Sequence, residues 1–289
     1  MAYDLLIAPF VDFAFMRRAL VGTCALALSA GPIGIFLMLR RMSLIGDAMA
    51  HAILPGAAAG FLLAGLSLPA MAAGGLITGL VIALGAGLIA RATELKEDAS
   101  LAAFFLVSLA IGVTLISMKG TGVDLLHVLF GSVLALDDPA LVLIGAVVTL
   151  TLLALALIYR PLVLECADPG FLRSVSRAGG PAHAVFLALV VLNLVGGFQA
   201  LGTLLAVGVM ILPAIAARFW ARSIGAMAAV AAAIGLVSAG AGLLFSFHLG
   251  APAGPAIILA AGAIYGGSVL FGRAGGLAWR AFPGRHLEA

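Results

Sequence analysis

Long apolar runs separated by short basic clusters set the pattern of this chain. A membrane-spanning helix needs about 20 mostly apolar residues. Ala19–Leu39 is such a run, closed by Arg40 and Arg41. From Met42 to Ala90 the only ionisable residues are Asp47 and His51. That stretch is long enough for two spans, with a break predicted near Ser67-Leu68-Pro69. The charged loop Arg91–Asp98 follows, then a fourth span over Leu101–Met118 and a fifth over Ala140–Ile158, ending at Tyr159-Arg160-Pro161. Residues 160–183 read as a loop. Ala184–Ala217 holds no ionisable residue and is interrupted by Gly196-Gly197, which predicts one bent span or two short ones. Ile224–Phe247 and Pro255–Phe271 supply the last two. The pattern predicts an all-α, polytopic transmembrane helical bundle of eight or nine spans, with 1–289 as a single domain.

Composition agrees with lipid as the solvent. Only 9% of the 289 residues are charged and 64% are hydrophobic, whereas a soluble domain carries roughly 25% charged residues. The net charge of +3 does not point to nucleic acid, because the basic residues sit in clusters between apolar runs, as cytoplasmic loops do. That rule places Arg40/Arg41, Arg91/Lys96, Arg160–Arg177, Arg218/Arg222 and the C-terminal tail on the cytoplasmic side. Nine spans satisfy all five and put the N-terminus outside. Asp4 and Asp12 interrupt the N-terminal segment, so the first apolar run is expected to be retained rather than cleaved. Of the 37 glycines, those in Gly56–Gly60 and Gly235–Gly242 form small-residue faces, which let helix backbones approach in lipid.

Few residues could carry chemistry. Asp47 and His51 are four apart in RRMSLIGDAMAHAILPG, so a helix puts both on one face. A carboxylate inside a membrane marks a pathway, a partner or a site, and carboxylate with imidazole is a ligand set for zinc or manganese. A local Asp–His hydrogen bond stabilising a bend is the competing reading. Pro55-Gly56 can interrupt the helix there. His248 is the only acidic, basic or histidine residue between Ser223 and Phe271, and it could complete a metal site or sit at a helix end. Asp124 and His127, three apart, read either as a gate or entry patch or as a solvated helix end. His183 and His286 are expected to be solvated, and Cys24 and Cys166 to be unpaired thiols. No G-x-x-x-x-G-K-[ST] phosphate loop and no catalytic constellation is present. The chain is therefore not expected to be an enzyme.

Four segments, in order, resemble the metal-importing ABC permeases that handle zinc, manganese or iron: RRMSLIGDAMAHAILPG, DLLHVLFGSVLAL, ALGTLLAVGVMILPAIAARFW and SFHLGAPAGPAIIL. The resemblance covers nearly the whole chain. It implies a multi-pass subunit of the bacterial inner membrane, paired as a homodimer, docked on a cytoplasmic ATPase and fed by a periplasmic or extracellular metal-binding protein. It implies no permanently bound cofactor. Asp47 and His51 match the family's intramembrane metal ligands, with His248 as a third candidate. Many relatives carry an acid where this chain has Gly250.

Residues 167–180 resemble the coupling helix that sits in a cleft of the ATPase, with Asp168, Pro169, Phe171, Leu172, Arg173 and Gly179 as the coupling residues. Zinc is the expected cargo, on the likeness of ILPAIAARFW to zinc permeases. The D-x-x-H-x-L-F-G pattern and Leu54-Pro55-Gly56 lean toward manganese. The implied mechanism is alternating access driven by ATP binding. A secondary metal transporter that needs no ATPase is the alternative, and the coupling-like loop counts against it.

Overall fold

The computed structural model describes residues 2–65, 67–119 and 133–278. Among them are thirteen α-helices: α1 Ala2–Leu6, α2 Ala8–Asp12, α3 Ala14–Leu39, α4 Ile45–Ala52, α5 Leu54–Ala64, α6 Leu68–Ala92, α7 Glu97–Lys119, α8 Asp138–Ala167, α9 Pro169–Val175, α10 Gly179–Leu201, α11 Thr203–Ala217, α12 Ile224–Leu249 and α13 Ala253–Phe271. A 3₁₀ turn covers Val133–Ala135.

Eight helical segments are long and apolar enough to cross a membrane, with α4 and α5 counting together as one. The 15 residues of α11 form a shorter apolar helix. At 1.5 Å per residue it measures roughly 22 Å, short of a ~30 Å hydrocarbon core. It nevertheless runs from one end of the bundle to the other. Leu204 and Leu205 at its start line a cavity with Val133 and Gly250. Ala214 and Ala217 at its finish pack with Ile35 and Leu39 of α3. The described chain therefore makes nine passes.

Two opposite ends follow from the contacts. At one, Phe13 packs at a tilt against Phe247 (5.3 Å between ring centroids), His248 reaches the Leu5 carbonyl and Arg18 pairs with Asp138. At the other, Arg40, Arg91, Lys96 and Glu165 converge on one cavity. Arg218 follows α11 there, and Phe219 meets Gly272 after α13. Among the described residues, Arg40, Arg91, Lys96 and Arg218 thus share one end, as the charge pattern predicts, while Arg18 stands at the other.

Three sequence expectations are corrected. The fifth span does not stop at Tyr159-Arg160-Pro161: α8 continues through Pro161 to Ala167. At 30 residues it extends about 45 Å and outruns the bilayer core, so polar residues enter the helix beyond the lipid. The break in the long apolar stretch falls at Gly202, not Gly196-Gly197. Gly202 has φ 91° and ψ 160°, a region essentially restricted to glycine. Gly196 and Gly197 stay helical and seat Val147 and Ala206. Finally, α10 begins at Gly179, which draws His183 into the bundle at 3% exposure instead of leaving it solvated.

Close backbone approach holds the bundle together. A Cβ on Gly34 would overlap the Met210 carbonyl, and one on Gly56 would overlap the Gly74 carbonyl. Gly60 sits against Ala70, Gly235 against Ala27 and Gly242 against Ile257. Both small-residue faces named from the sequence are therefore packing faces. One buried polar cluster crosses three helices: Ser29 Oγ donates to Asn193 Oδ1 (2.7 Å), and Asn193 Nδ2 donates to Thr151 Oγ1 (2.7 Å) and the Leu189 carbonyl (2.9 Å).

Candidate metal site

The turn between α3 and α4 aims the candidate ligands. Arg41 N donates to the Met38 carbonyl (3.0 Å) and Met42 N to the Leu37 carbonyl (2.8 Å). These are the two hydrogen bonds of a Schellman motif, whose pivotal residue is usually glycine in the left-handed region. Arg41 occupies that position with φ 60°. The chain then turns into α4, which buries Ile45, Gly46, Met49, Ala50 and Ala52. Gly46 lies against Met210 and Ile211 of α11.

The opposite face of α4 carries Leu44 at its root, Asp47 and His51, all exposed. Asp47 lies in the first turn and His51 in the last, which complements the helix dipole at both ends. The His51 ring lies 6.0 Å from Phe105 of α7. No hydrogen bond joins Asp47 to His51 among the described residues. The helix breaks at Ile53, with Pro55 in the first turn of α5, as the Pro-Gly pair predicts. Ser108 Oγ donates to the Ala52 carbonyl at that break (2.8 Å).

The structure does not bring His248 to this pair. It ends α12 at the far end of the bundle, exposed, with Nε2 2.9 Å from the Leu5 carbonyl and its ring 5.4 Å from Phe247. No group of three or more His, Cys, Asp or Glu side chains forms a metal cage among the described residues. Asp124 and His127 lie outside the described residues.

The segment likened to a coupling helix is α9. Asp168 caps it, accepting a hydrogen bond from Phe171 N (2.9 Å). Leu172 is buried at 4% exposure and packs on Gly179, where a Cβ would meet its Cδ2 at 3.1 Å. Phe171 and Val175 project outward, 52% and 68% exposed. Pro169 lies in the first turn, and Arg173 is within the helix. The result is a short capped helix, packed through Leu172 on one side and presenting Phe171 and Val175 on the other.

Sequence reasoning missed an ionic cluster beside it. Glu165 Oε1 lies 2.8 Å from Arg91 Nη2 and 3.5 Å from Arg40 Nη2. His183 Nε2 lies 2.7 Å from Glu97 Oε1. The Arg40 guanidinium also stands over the Phe186 ring, 5.6 Å from its centroid. These partners are 74 or more positions apart where the hydrogen bonds are direct, so no local spacing reveals them. Arg40, Arg91 and His183 are each picked out by the sequence, but not as members of one cluster.

Residues 12–272 match the ABC 3 transport family. The chain belongs to the ABC 3 transport family. Among its ABC 3 relatives is the manganese transport system membrane protein MntC of Halalkalibacterium halodurans, 32% identical over 279 residues, covering 96% of this chain and 94% of that protein. Another is the chelated iron transport system membrane protein YfeD of Yersinia pestis, 30% identical over 259 residues, covering 90% and 86%. Among solved structures, PsaBC from Streptococcus pneumoniae in complex with Fab matches with a TM-score of 0.81 at 29% identity, over 95% of this chain and 97% of that one. This ABC 3 chain is thus an ABC permease membrane subunit by family and fold, a transport component rather than the ATP-hydrolysing one.

Proposed function

We propose that this ABC 3 permease imports manganese across the bacterial inner membrane, driven by a separate ATPase that docks on α9. The observation that carries the reading is the exposed Asp47–His51 face of α4. Ionisable residues within membrane spans face a bundle interior or a water-filled path, not lipid. In the protomer this face is uncovered, so a second permease copy across it is the covering that suits a transport path. The pair offers one hard oxygen donor and one imidazole, a set that suits manganese and iron as well as zinc. Two ligands hold an ion weakly enough for release.

The relatives named above carry manganese and iron by name, which supports the manganese reading over the zinc expected from the sequence. A metal-binding protein delivering the ion to the end that bears Leu5 and His248 completes the assembly.

The test is metal accumulation in cells stripped of their own high-affinity importers and expressing permease, ATPase and binding protein. Manganese and zinc are compared, wild type against His51→Ala. Manganese gained by the wild type and lost in the variant is the expected result. Zinc gained instead reverses the cargo. Accumulation of neither metal by an assembled complex overturns the function.

A further inference from the structure

We propose that Glu165 is a positioning residue that ties the root of the coupling helix to the helix bearing Asp47 and His51, so that movement at α9 reaches α4. This rests on the function proposed above and names the part that links its two halves.

Glu165 stands three residues before Asp168, the cap of α9, and within the last turn of α8. Its carboxylate holds two arginines at once: Arg91 at the end of α6 (2.8 Å) and Arg40 at the end of α3 (3.5 Å). Arg40 is the residue before the left-handed Arg41, and the α4 ligands begin only six positions after Arg41. The chain from Glu165 to Asp47 therefore runs through one side-chain pair and one tight turn. The pair is sheltered, with Glu165 and Arg40 side chains 9% and 13% exposed. At that burial the attraction is screened less than in a surface pair.

Both side chains keep an unpartnered buried atom, Glu165 Oε2 and Arg40 Nη1. A buried carboxylate or guanidinium with donors or acceptors to spare has not reached its best-bonded arrangement. Both residues line a cavity of about 610 Å³, which leaves space for the pair to rearrange. Coupling of this kind requires an element with two arrangements that both sites bias. In this proposal the Glu165–Arg40 pair, with the left-handed Arg41 turn beside it, is that element.

A purely structural role would have a different signature. A structural salt bridge lowers the amount of folded complex, and transport and ATP hydrolysis then fall together. A positioning residue lowers metal moved per ATP hydrolysed while hydrolysis persists. Permease, ATPase and binding protein are reconstituted in proteoliposomes, and both rates are read on complex quantified after purification. Glu165→Gln keeps the shape and removes the charge. The expected result is ATPase activity near wild type with metal moved per ATP down about 5-fold or more, within the range of ordinary allosteric couplings.

Removing one member of a buried pair can prevent folding. The double variant Arg40→Gln with Glu165→Gln leaves unpaired only Arg91, whose side chain is 34% exposed and can be solvated, and it is read the same way, whichever metal the wild type carries. An unchanged ratio, or parallel loss of both rates in assembled complex, overturns the inference. Failure of the wild type to move any metal overturns the function instead.

Discussion

Ser29 and Asn193 are joined by a 2.7 Å hydrogen bond across 164 positions of sequence, with both side chains fully enclosed between α3 and α10. Asn193 also donates to Thr151 and to Leu189 of its own helix. Its amide accepts from Ser29 at Oδ1 and donates to Thr151 from Nδ2, so one side chain bridges both neighbouring helices. In lipid such bonds average about 0.6 kcal/mol each. Asn193→Leu removes three and leaves Ser29 able to fall back on Leu26 (3.1 Å). The expected loss is about 1–2 kcal/mol of stability, measured by denaturant unfolding in detergent, with metal transport retained per folded molecule. A loss below about 0.5 kcal/mol would reduce the cluster to a passive filler.

Glycines that look alike in the sequence differ in cost. Gly34 faces the Met210 backbone with no space for a methyl group, whereas Gly240 has nothing within 4 Å. Overpacking a rigid contact costs about 1–3 kcal/mol or more, and α3 and α11 must separate to admit Gly34→Ala. Gly240→Ala in mid-helix is expected to be neutral or to stabilise by up to about 1 kcal/mol, the intrinsic difference between the two residues. Thermal unfolding of both variants in the same detergent checks the contrast.

Conformation rather than space decides two further positions. Gly202 lies at φ 91°, ψ 160° between α10 and α11. An alanine there costs about 1–3 kcal/mol whatever its surroundings. Arg41 has the reverse problem, a residue with a Cβ in the left-handed region at φ 60°. Arg41→Gly is expected to stabilise the fold by about 1 kcal/mol. Opposite signs for the two substitutions, read as shifts in unfolding midpoint, are the outcome that checks the assignment.

How much of this the sequence carried depends on the range of the interaction. Span number and the shared basic end were legible because lipid imposes length and charge rules on each segment separately. Asp47 and His51 were legible because their four-residue spacing is local to one helix. Pro161 misled, since a proline inside a helix that has already left the hydrocarbon core is tolerated at a position where the apolar pattern stops. His183 misled for a related reason: its polarity read as solvent exposure, while Glu97, 86 positions away, pairs with its Nε2 inside the bundle. The Glu165 cluster depends wholly on such distant pairing. His248 was grouped with Asp47 by residue type, and only the fold separates them.

The short coupling-like helix gives a prediction that divides folding from docking. Asp168 satisfies Phe171 N at the start of α9, and losing such a cap costs about 0.5–2 kcal/mol. Asp168→Asn keeps an oxygen acceptor and is expected to leave the helix intact. Phe171→Ala removes a ring that is 52% exposed in the protomer. It is expected to leave stability within about 0.5 kcal/mol, as exposed substitutions do, and to weaken capture of the ATPase in a pull-down. Equal capture by wild type and Phe171→Ala would remove that face from the interface.

Cargo choice gives the most direct test of the α4 face. Manganese favours oxygen donors, and zinc binds mixed nitrogen and oxygen sites more tightly than manganese does. In the proposed site Asp47 is the hard donor and His51 the borderline one. Asp47→His converts the pair to two imidazoles on the same exposed face, with no core contact disturbed. The folded state should be preserved, since substitutions at exposed positions change stability by about 0.5 kcal/mol or less. Manganese uptake should fall while zinc uptake holds or rises, moving the manganese-to-zinc ratio by roughly tenfold or more toward zinc. Competition uptake with both ions present reads that ratio directly, free of differences in expression. A ratio unchanged from wild type would mean that the Asp47 carboxylate never touches the ion, and the selectivity would then have to be set by groups elsewhere along the path.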